Sequence, residues 1–418
     1  MQVIESECRQ QFPEIALSFL DCLVANYHPR DFEMRLWDGK SIAAEPGQSA
    51  RFTLVINSPA ALREMFRSPS ELSLGEAYIY NDLEIEGDVE AAFRFAQFLI
   101  RQKFSVTERL RLAGLFRKLP SNDGSHHDEI PAPLIDGRIH SRERDRAAVR
   151  YHYDTSNEFF SLFLGKTMIY SEAYFEDGEH DLDRAQERQL DRICRALRLK
   201  QGERLLDIGC GWGSLIIHAV RNYGVKALGI TLSQHQAELA NRRIQEEGIG
   251  DSCNIEIRDY RDMDSAAAFD KISSIGMFEH VGRKMLAEYF QRACRLLRPG
   301  GVLMNSGISR PVDEPAKRPG SFIDKYVFPD GELIPVGEVA QEAENAGFEV
   351  RWVENLREQY GLTLRNWLSR LEQTQDDARR LAGDITYRIW RLYMAGSAAR
   401  FFAGKLNTYQ TLLVKRGA

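Results

Sequence analysis

The stretch Arg204-Leu-Leu-Asp-Ile-Gly-Cys-Gly-Trp-Gly-Ser214 joins an apolar run to a glycine-rich turn. Asp207 lies near the end of the apolar run, and Gly209, Gly211 and Gly213 follow at every second position. Glycines at such a strand-to-helix turn let the backbone approach a ligand closely. Dinucleotide sites use a different spacing, Gly-x-Gly-x-x-Gly, in front of a helix that binds pyrophosphate. The alternating glycines and the acid instead favour S-adenosylmethionine, which has an amino-acid tail and no phosphates.

Apolar, strand-like runs alternate with helical patterns along this half of the chain. The runs are 204–209, 226–230, 254–258, 270–275 and 301–305. Such alternation predicts an α/β fold with a doubly wound, mostly parallel sheet. Ligands of these sheets bind outside the carboxyl ends of the strands, so we expect the segments that follow the strands to border one crevice. The segment 408–415 predicts a last antiparallel strand at the sheet edge.

The chain is long enough for two domains. Its 418 residues and 47.8 kDa exceed a typical single domain. The segment 119–145 contains a run rich in Pro, Gly, Ser and Asp, which is typical of a linker. We therefore predict an N-terminal domain over 1–118, a linker over 119–145 and the α/β domain over 146–418. Mixed helical and strand patterns, with a strand near 51–57, indicate that the first domain is a smaller α+β domain.

Composition excludes several classes of function. The formal net charge of −6 argues against a nucleic-acid binder that works by overall charge. The six cysteines are scattered without zinc-site spacing, so we interpret them as reduced thiols of a cytoplasmic protein and predict no metal site. His126 and His127 are interpreted as solvated side chains of the linker. The N-terminus is acidic where a signal peptide would be basic, and no apolar run reaches the roughly 18 residues that span a bilayer.

The segment 101–118 is basic and amphipathic. It carries six cationic side chains and one acid, Glu108, interleaved with apolar residues. The cations are Arg101, Lys103, Arg109, Arg111, Arg117 and Lys118. This pattern suits the anionic head groups of a membrane surface. A solvated helix face with an ordinary apolar stripe toward the core explains the same pattern, and both interpretations stay open at this point.

Five motifs, in one order over about 150–415, give the chain a family resemblance. They are Tyr151-His-Tyr-Asp-Thr-Ser-Asn-Glu-Phe-Phe160, Thr167-Met-Ile-Tyr-Ser-Glu-Ala-Tyr-Phe175, the glycine turn, Gly276-Met-Phe-Glu-His-Val-Gly282 and Tyr326-Val-Phe-Pro-Asp-Gly331. Together they resemble the cyclopropane-fatty-acyl-phospholipid synthase family. The resemblance implies a Rossmann-like class I methyltransferase domain behind a lipid-associated N-terminal domain. It also implies a homo-oligomeric cytoplasmic enzyme, peripheral on the inner face of the membrane.

The resemblance further implies the reaction and the cofactor residues. The family uses S-adenosylmethionine to add a methylene across a cis double bond in an acyl chain of a membrane phospholipid. The residues expected to hold the cofactor are Tyr170, Ser171, Asp207, Gly209, Gly211, Gly213, Thr231, Leu232, Gln236, Asp259, Tyr260 and Arg261. The second strand lacks the terminal acid that commonly holds the ribose hydroxyls, and Gln236 is a reasonable substitute donor and acceptor.

The reaction requires a dry site, a stabilised cation and a base. An unactivated alkene is a poor nucleophile, so it must be aligned with the sulfonium methyl, and aromatic faces stabilise the carbocation that results. Our candidates for those faces are Tyr153, Tyr170, Phe278 and Tyr360. In the family, the base that takes the last proton resembles a bound bicarbonate, held in a cage that includes a Tyr, a Cys backbone, a Glu, a His and a second Tyr.

The sequence departs from that cage at two positions. Tyr153, Glu279 and Tyr360 match it, but Glu172 replaces the family's Cys in Tyr170-Ser-Glu-Ala-Tyr174. The ungapped alignment places Ser306 at the family's His, and a one-residue slip would place Asn305 there. A carboxylate beside Glu279 would repel bicarbonate by several kcal/mol at low dielectric. We predict that Glu172 replaces the anion as the base; alternatively, Glu172 points elsewhere and the family site is degraded.

Three functions follow from these expectations. The first is cyclopropane formation on an unsaturated phospholipid acyl chain, with Glu172, Glu279, Tyr153, Tyr360 and Ser306 as the catalytic residues. In the second, the cation rearranges by hydride shift before the proton leaves, which gives a methylene-branched chain that a partner reductase could convert to a methyl branch. The third is a catalytically inactive lipid-binding protein that retains the cofactor fold.

Overall fold

The computed structural model describes residues 2–121, 137–153, 155–264, 266–316 and 320–417. The chain forms two compact units. The first contains Met1–Ala132, Gly320–Phe322 and Asp384–Ala399, and the second contains Pro133–Pro319, Ile323–Gly383 and Arg400–Ala418. Most of the predicted linker, with His126 and His127, lies outside the described residues.

The first unit is a small α+β structure. Its elements are α1 (Gln2–Val24), β1 (Phe32–Arg35), β2 (Ser41–Ile42), β3 (Phe52–Ile56), α2 (Ala61–Arg67), α3 (Glu71–Ile79), β4 (Leu83–Gly87), α4 (Val89–Arg101) and α5 (Val106–Lys118). The four strands form one sheet in the order β2-β1-β3-β4. Asp88 caps α4, and the buried face of α4 brings Phe95 against Phe32, with ring centroids 4.3 Å apart. The predicted strand near 51–57 and the α+β character are confirmed.

The rest of the chain alternates helices and strands. Its elements are α6 (Arg142–Tyr153), α7 (Asn157–Leu164), α8 (Leu182–Ala196), β5 (Arg204–Ile208), α9 (Ser214–Tyr223), β6 (Lys226–Thr231), α10 (Gln234–Glu246), β7 (Cys253–Ile257), β8 (Phe269–Ile275), α11 (Phe278–Val281), α12 (Leu286–Leu296), β9 (Leu297–Ser309), α13 (Phe322–Tyr326), α14 (Val336–Asn345), β10 (Phe348–Asn355), α15 (Arg357–Gln373), α16 (Gln375–Ala382), α17 (Asp384–Phe402) and β11 (Asn407–Lys415).

Seven of these strands form the large sheet, in the order β10-β11-β9-β8-β5-β6-β7. The strands from β9 to β7 run parallel, which confirms the predicted mostly parallel sheet. Leu205 and Leu206, neighbours on β5, belong to two different buried hydrophobic clusters. Because successive side chains of a strand point to opposite faces, these clusters cover the two faces of the sheet.

The edge of the sheet differs from the prediction. The strand β11 is antiparallel, as expected, but it lies between β9 and β10, so β10 forms the edge. The strand β10 was not predicted from the sequence. Its residues, Phe-Glu-Val-Arg-Trp-Val-Glu-Asn, mix charged with apolar side chains. An edge strand with one solvated side lacks the continuous apolar run by which the buried strands were recognised.

The helix α17 is shared between the two units, which differs from the predicted domains. The prediction placed all of it in the second domain, whereas Asp384–Ala399 groups with the first unit. The physical reason is a pair of buried arginines. Arg388 donates to the Tyr78 carbonyl oxygen (3.1 Å), and Arg391 donates to the Tyr78 hydroxyl (2.9 Å) and the Ile85 carbonyl oxygen (3.0 Å). Buried guanidinium groups require such partners, and the first unit supplies them.

Within the described residues, no helix combines the length and the apolar character needed to cross a bilayer.

Candidate active site

One cavity lies where the segments after β5, β6, β7 and β8 meet. Of the residues predicted to hold the cofactor, eleven line it: Tyr170, Ser171, Asp207, Gly209, Gly211, Thr231, Leu232, Gln236, Asp259, Tyr260 and Arg261. Tyr153 also lines it, from the end of α6, together with Asp145. The crevice expected at the carboxyl ends of the parallel strands is therefore present, and these side chains share it.

The three glycines of the turn serve two purposes. Gly209 and Gly211 have φ of +77° and +53°, and a Cβ on Gly211 would point into open space in the cavity wall. Gly213, at φ +79°, lies outside the cavity lining, and a Cβ there would come 2.8 Å from Ile255 Cδ1. The first two glycines thus leave room for a ligand against the backbone, whereas Gly213 allows α9 to pack closely on its neighbours.

Asp207 is a buried carboxyl in the wall of the cavity. The pairing of β5 with β8 sets Asp207 opposite Ser273, whose Oγ donates to Asp207 Oδ1 at 2.7 Å. Burial raises the pKa of Asp207 to about 7, against the lowering effect of the Ser273 hydrogen bond. The site therefore offers a well-oriented acceptor whose ionisation depends on what occupies the cavity.

Two further pairs of polar side chains are fixed in the cavity wall. Thr231 Oγ1 donates to Gln236 Oε1 (2.8 Å), which orients the side-chain amide proposed for the ribose. Arg261 donates to both carboxylate oxygens of Asp259, through Nε at 2.9 Å and Nη2 at 2.6 Å, and lies 3.0 Å from Asp145. Burial acts to raise the pKa of Asp259, but the hydrogen bonds and charge of Arg261 hold that pKa below its ordinary value.

Glu172 is buried with three uncharged donors around one of its oxygens. Glu172 Oε1 accepts from Ser306 Oγ at 3.0 Å, from Gln410 Nε2 at 3.1 Å and from Gln189 Nε2 at 3.2 Å. Burial raises the pKa of Glu172, while the three hydrogen bonds act to lower it. The two positions at which the sequence departs from the family cage, 172 and 306, are thus in direct contact.

The fold positions each member of this cluster. Ser306 on β9 pairs directly with Gln410 on β11, so both side chains leave the sheet on the same face. Gln189 comes from α8, and Thr363 on α15 fixes the backbone beside Glu172 by accepting from the Ala173 amide at 3.0 Å. The alternative at this position, Asn305, points elsewhere, because its Oδ1 accepts from the Tyr289 hydroxyl at 3.0 Å.

Glu279 is a second buried carboxyl close to the first. Its Oε1 accepts from the Ile308 amide at 2.6 Å, and its Oε2 has no hydrogen-bond partner among the described residues. Burial raises the pKa of Glu279 to about 7, and the charge of Glu172 contributes to that rise. The two carboxyls therefore already disfavour each other's ionisation. A bicarbonate ion would bring a further negative charge beside these two carboxyls, so the side chains present do not suit it.

Aromatic rings join the two tyrosines that were predicted to be catalytic. Tyr153 packs edge-on to Tyr170 (6.1 Å), Tyr170 stacks on Trp367 (5.3 Å), and Trp367 packs edge-on to Tyr360 (6.1 Å). This row of ring faces and edges supplies the quadrupoles that attract a cation. Phe278, by contrast, is 2% exposed and belongs to the hydrophobic core beneath the sheet, so its role there is packing.

Sequence reasoning missed four residues of this site. Gln189, Gln410 and Trp367 lie on helices and a strand that carry no motif, and Asp145 falls in the segment that was interpreted as a linker. Each becomes visible only through contacts between residues far apart in the chain. A weak signal existed for Gln410, since it directly precedes the strand-like run Thr411-Leu-Leu-Val414 and a buried glutamine is costly unless its amide is hydrogen-bonded.

Comparison with known proteins assigns the family. A model of the family described as mycolic acid cyclopropane synthetase matches residues 140–411. The chain belongs to that family. Residues 19–106 match a second model, which is described only as a domain of unknown function. The predicted resemblance is confirmed, and with it the fold of an S-adenosylmethionine-dependent methyltransferase.

Relatives of this methyltransferase cover either most of the chain or about two thirds of it. A probable fatty acid methyltransferase of Pseudomonas putida is 40% identical over 91% of this chain and 91% of its own length. A tuberculostearic acid methyltransferase of Mycobacterium tuberculosis is 35% identical over 66% of this chain and 67% of its own. A mycolic acid cyclopropane synthase crystallised with SAH and CTAB is 33% identical, with a TM-score of 0.61, over 65% of this chain and 98% of its own.

Proposed function

We propose that this methyltransferase acts on a cis double bond in an unsaturated phospholipid acyl chain and forms a cyclopropane acyl chain. The observation that carries the proposal is the buried pair Glu172 and Glu279, placed with a row of aromatic rings beside the cofactor cavity. A cavity for the cofactor, a dry aromatic wall and a buried base are what alkylation of an unactivated alkene requires. We further propose that the enzyme is cytoplasmic and peripheral on the inner face of the membrane, and that it forms homo-oligomers.

Different residues of the chain have different roles in this reaction. When bound, S-adenosylmethionine supplies an electrophilic methyl group, whose transfer to one alkene carbon leaves a positive charge on the other. Asp207, Gln236 and Asp259 hold and orient the cofactor from the cavity wall. Tyr153, Tyr170 and Tyr360 line the path of the acyl chain, stabilise the positive charge through their ring faces and exclude water.

Glu172 then completes the product. Its carboxylate accepts one proton from the transferred methyl group, and the C–H electron pair closes the ring onto the cationic carbon. Charge balances, because the positive charge of the lipid leaves as the proton that neutralises Glu172. With Oε1 held by three donors, Oε2 is the oxygen oriented to accept the proton. The Glu172 carboxylate thus does what bicarbonate does in the family, but it is covalently attached to the chain.

A methylene-branched product is the second candidate, and the same hydrogen bonds favour it. Burial raises the pKa of Glu172, and the three donors on one oxygen reduce that rise, so this carboxylate is a weaker base than an equally buried one without donors. A slower base gives the cation time to rearrange by hydride shift to the more substituted carbon before the methyl proton leaves. The relatives named fatty acid and tuberculostearic acid methyltransferases support this candidate. A reductase partner would then convert the methylene to a methyl branch.

Labelled methyl transfer followed by proton NMR distinguishes these functions. Purified protein is incubated with labelled S-adenosylmethionine and detergent-dispersed phospholipid that carries one cis double bond per acyl chain. The ring and the methylene product are isomers with the same mass, so the NMR spectrum of the product decides between them. We expect cyclopropane methylene signals; vinylidene signals would establish the second candidate. Cofactor binding without label in the lipid would contradict both and leave an inactive lipid-binding protein.

A further inference from the structure

The helix α5 presents an uncovered apolar surface to solvent. None of its residues is buried, and Val106 and Leu110 are 74% and 70% exposed. Exposed apolar side chains of this size are ordinary when single, but these two are one helical turn apart. Positions 106, 110, 113 and 117 fall on one face of the helix, because each lies three or four residues from the next. We call this the outer face of α5.

The other side of α5 is anchored to the first unit. The Phe116 ring packs against the Phe19 ring on α1, with centroids 6.2 Å apart, and Asn26 Nδ2 donates to Glu108 at 3.5 Å. A capping box between Ser105 and Glu108 fixes the start of the helix. Packing on the opposite side therefore holds the outer face toward solvent.

Cations surround the outer face. Arg109, Arg111, Arg117 and Lys118 are all exposed, as are Arg101 and Lys103 just before the helix. No ion pair links any of these six to another residue in the described part of the chain. The one acid of the segment, Glu108, lies on the anchored side. The outer face thus combines an apolar centre with uncompensated positive charge.

We propose that the outer face of α5 docks onto an anionic phospholipid bilayer. Val106 and Leu110 insert among the head groups, and the surrounding cations contact lipid phosphates. Apolar residues flanked by Lys and Arg are the features that hold a helix in the plane of a bilayer. A symmetric contact with a second copy of the chain would bring the same cations face to face, which is unfavourable. The inference deepens the proposed function, because it assigns the surface through which the enzyme reaches a lipid substrate.

Vesicle sedimentation tests the proposal in the full-length protein. One variant combines Arg109→Gln, Arg111→Gln, Arg117→Gln and Lys118→Gln, and a second combines Val106→Gln with Leu110→Gln. About 1 kcal/mol per surface cation corresponds to roughly a fivefold affinity loss for each, or on the order of several hundredfold for four. We expect the first variant to lose binding to phosphatidylglycerol vesicles by about that factor and the second by roughly tenfold or more. Pure phosphatidylcholine vesicles should bind all forms weakly.

The matched control removes four exposed arginines elsewhere, each engaged in a local surface ion pair: Arg67→Gln, Arg184→Gln, Arg195→Gln and Arg380→Gln. It carries the same charge change, so retained vesicle binding shows that position matters and not net charge alone. Circular dichroism verifies that every variant is folded. Methyl transfer to detergent-dispersed lipid should be unchanged in all of them, which separates failure of this surface from failure of the proposed chemistry.

Two results would overturn the proposal. One is vesicle binding by the four-cation variant as tight as that of the wild type, or as tight as that of the control. The other is a change of oligomeric state in the Val106 and Leu110 variant, measured by light scattering, with vesicle binding retained. That second outcome would assign the outer face to contact between copies of the chain. A wild type that binds anionic vesicles but transfers no methyl group would leave the surface intact and contradict only the proposed reaction.

Discussion

Replacing Glu172 with Gln removes one negative charge from the candidate site while retaining its shape. The amide oxygen of the new side chain can accept from Ser306, Gln410 and Gln189 in place of Glu172 Oε1. Its amide nitrogen has an acceptor at hand, because Gln189 Oε1 lacks a hydrogen-bond partner among the described residues. No charge is left buried without a partner, so the free energy of unfolding should change by less than about 1 kcal/mol.

The expected kinetic effect is large by comparison. An amide cannot accept the proton from the transferred methyl group, and loss of a general base costs about 10² to 10⁴ in rate where proton removal limits turnover. That range corresponds to about 3 to 5 kcal/mol of transition-state stabilisation. Binding of S-adenosylhomocysteine should be unaffected, because Glu172 does not line the cofactor cavity. The variant should therefore bind the cofactor normally and be nearly inactive.

Single-turnover transfer of labelled methyl to dispersed phospholipid measures this rate directly. Glu158→Gln is the matched control, since it makes the same substitution at an exposed position on α7 and should retain wild-type activity. The assay is repeated in buffer stripped of carbon dioxide, with and without added bicarbonate. Wild-type activity should not respond to bicarbonate. The double variant Glu172→Cys with Ser306→His should regain activity that does respond.

The reasoning is refuted if wild-type activity falls on stripping carbon dioxide and returns when bicarbonate is restored. It is also refuted if Glu172→Gln turns over within a few-fold of the wild type. Either result would return the role of base to an anion taken from solution, and would leave Glu172 as a structural acceptor for the two glutamines and Ser306.

Two further predictions concern the other buried acids. Asp207→Ala should abolish binding of S-adenosylhomocysteine in calorimetry while Asp251→Ala, on the surface, leaves it unchanged; equal affinity in both would remove Asp207 from the site. Glu279 keeps its proton up to a pKa of about 7, against an ordinary value of 4.5, so folded protein holds more protons than unfolded protein between those values. Stability from this group is complete below pH 4.5 and is lost as pH rises through 7, and at 1.36 kcal/mol per pKa unit the loss is about 3 kcal/mol. Urea unfolding should show a loss that is about 3 kcal/mol larger in the wild type than in Glu279→Gln, because the loss from Asp207, whose pKa is also raised to about 7, remains in the variant; parallel pH profiles would contradict the assignment.

The sequence predicts the centre of this fold well and its periphery poorly. Four of the parallel strands, β5, β6, β8 and β9, are largely buried, so each shows as an apolar run followed by a motif. The strand β10 is solvated on one side and carries Glu and Arg, which hides it from the same criterion. The position of α17 follows from Arg388 and Arg391, whose buried partners Tyr78 and Ile85 lie some 300 residues earlier in the chain. Nothing local in either segment reveals that pairing.

Some residues of the candidate site can likewise be predicted from the sequence, and others cannot. Asp207, Thr231 and Asp259 lie at or just after the carboxyl ends of β5, β6 and β7. Parallel strands bring these ends together, so sequence order alone predicts that the three residues share a cavity. Glu172 and Ser306 stood out because both depart from a family pattern. Gln189 and Gln410 belong to no motif, and their part in the site depends on how α8 and β11 pack. The side chains of Gln410 and Glu172 form a hydrogen bond although they are 238 residues apart in the sequence, and hydrophobic periodicity cannot predict such a contact.

The pairing of Ser306 with Gln410 makes the chemistry of the site sensitive to any change of length in the connection 403–406 that shifts the register of β11. Side chains alternate sides along a strand, so a register shift of one residue would turn Gln410 away from Glu172 and bring Tyr409 or Thr411 to face the carboxylate. A register shift of two residues would keep Gln410 on the same face of the sheet but would pair it with a residue of β9 other than Ser306. Homologues in which the register of β11 differs by an odd number of residues should therefore carry a different donor set around the base, even where residue 172 is unchanged.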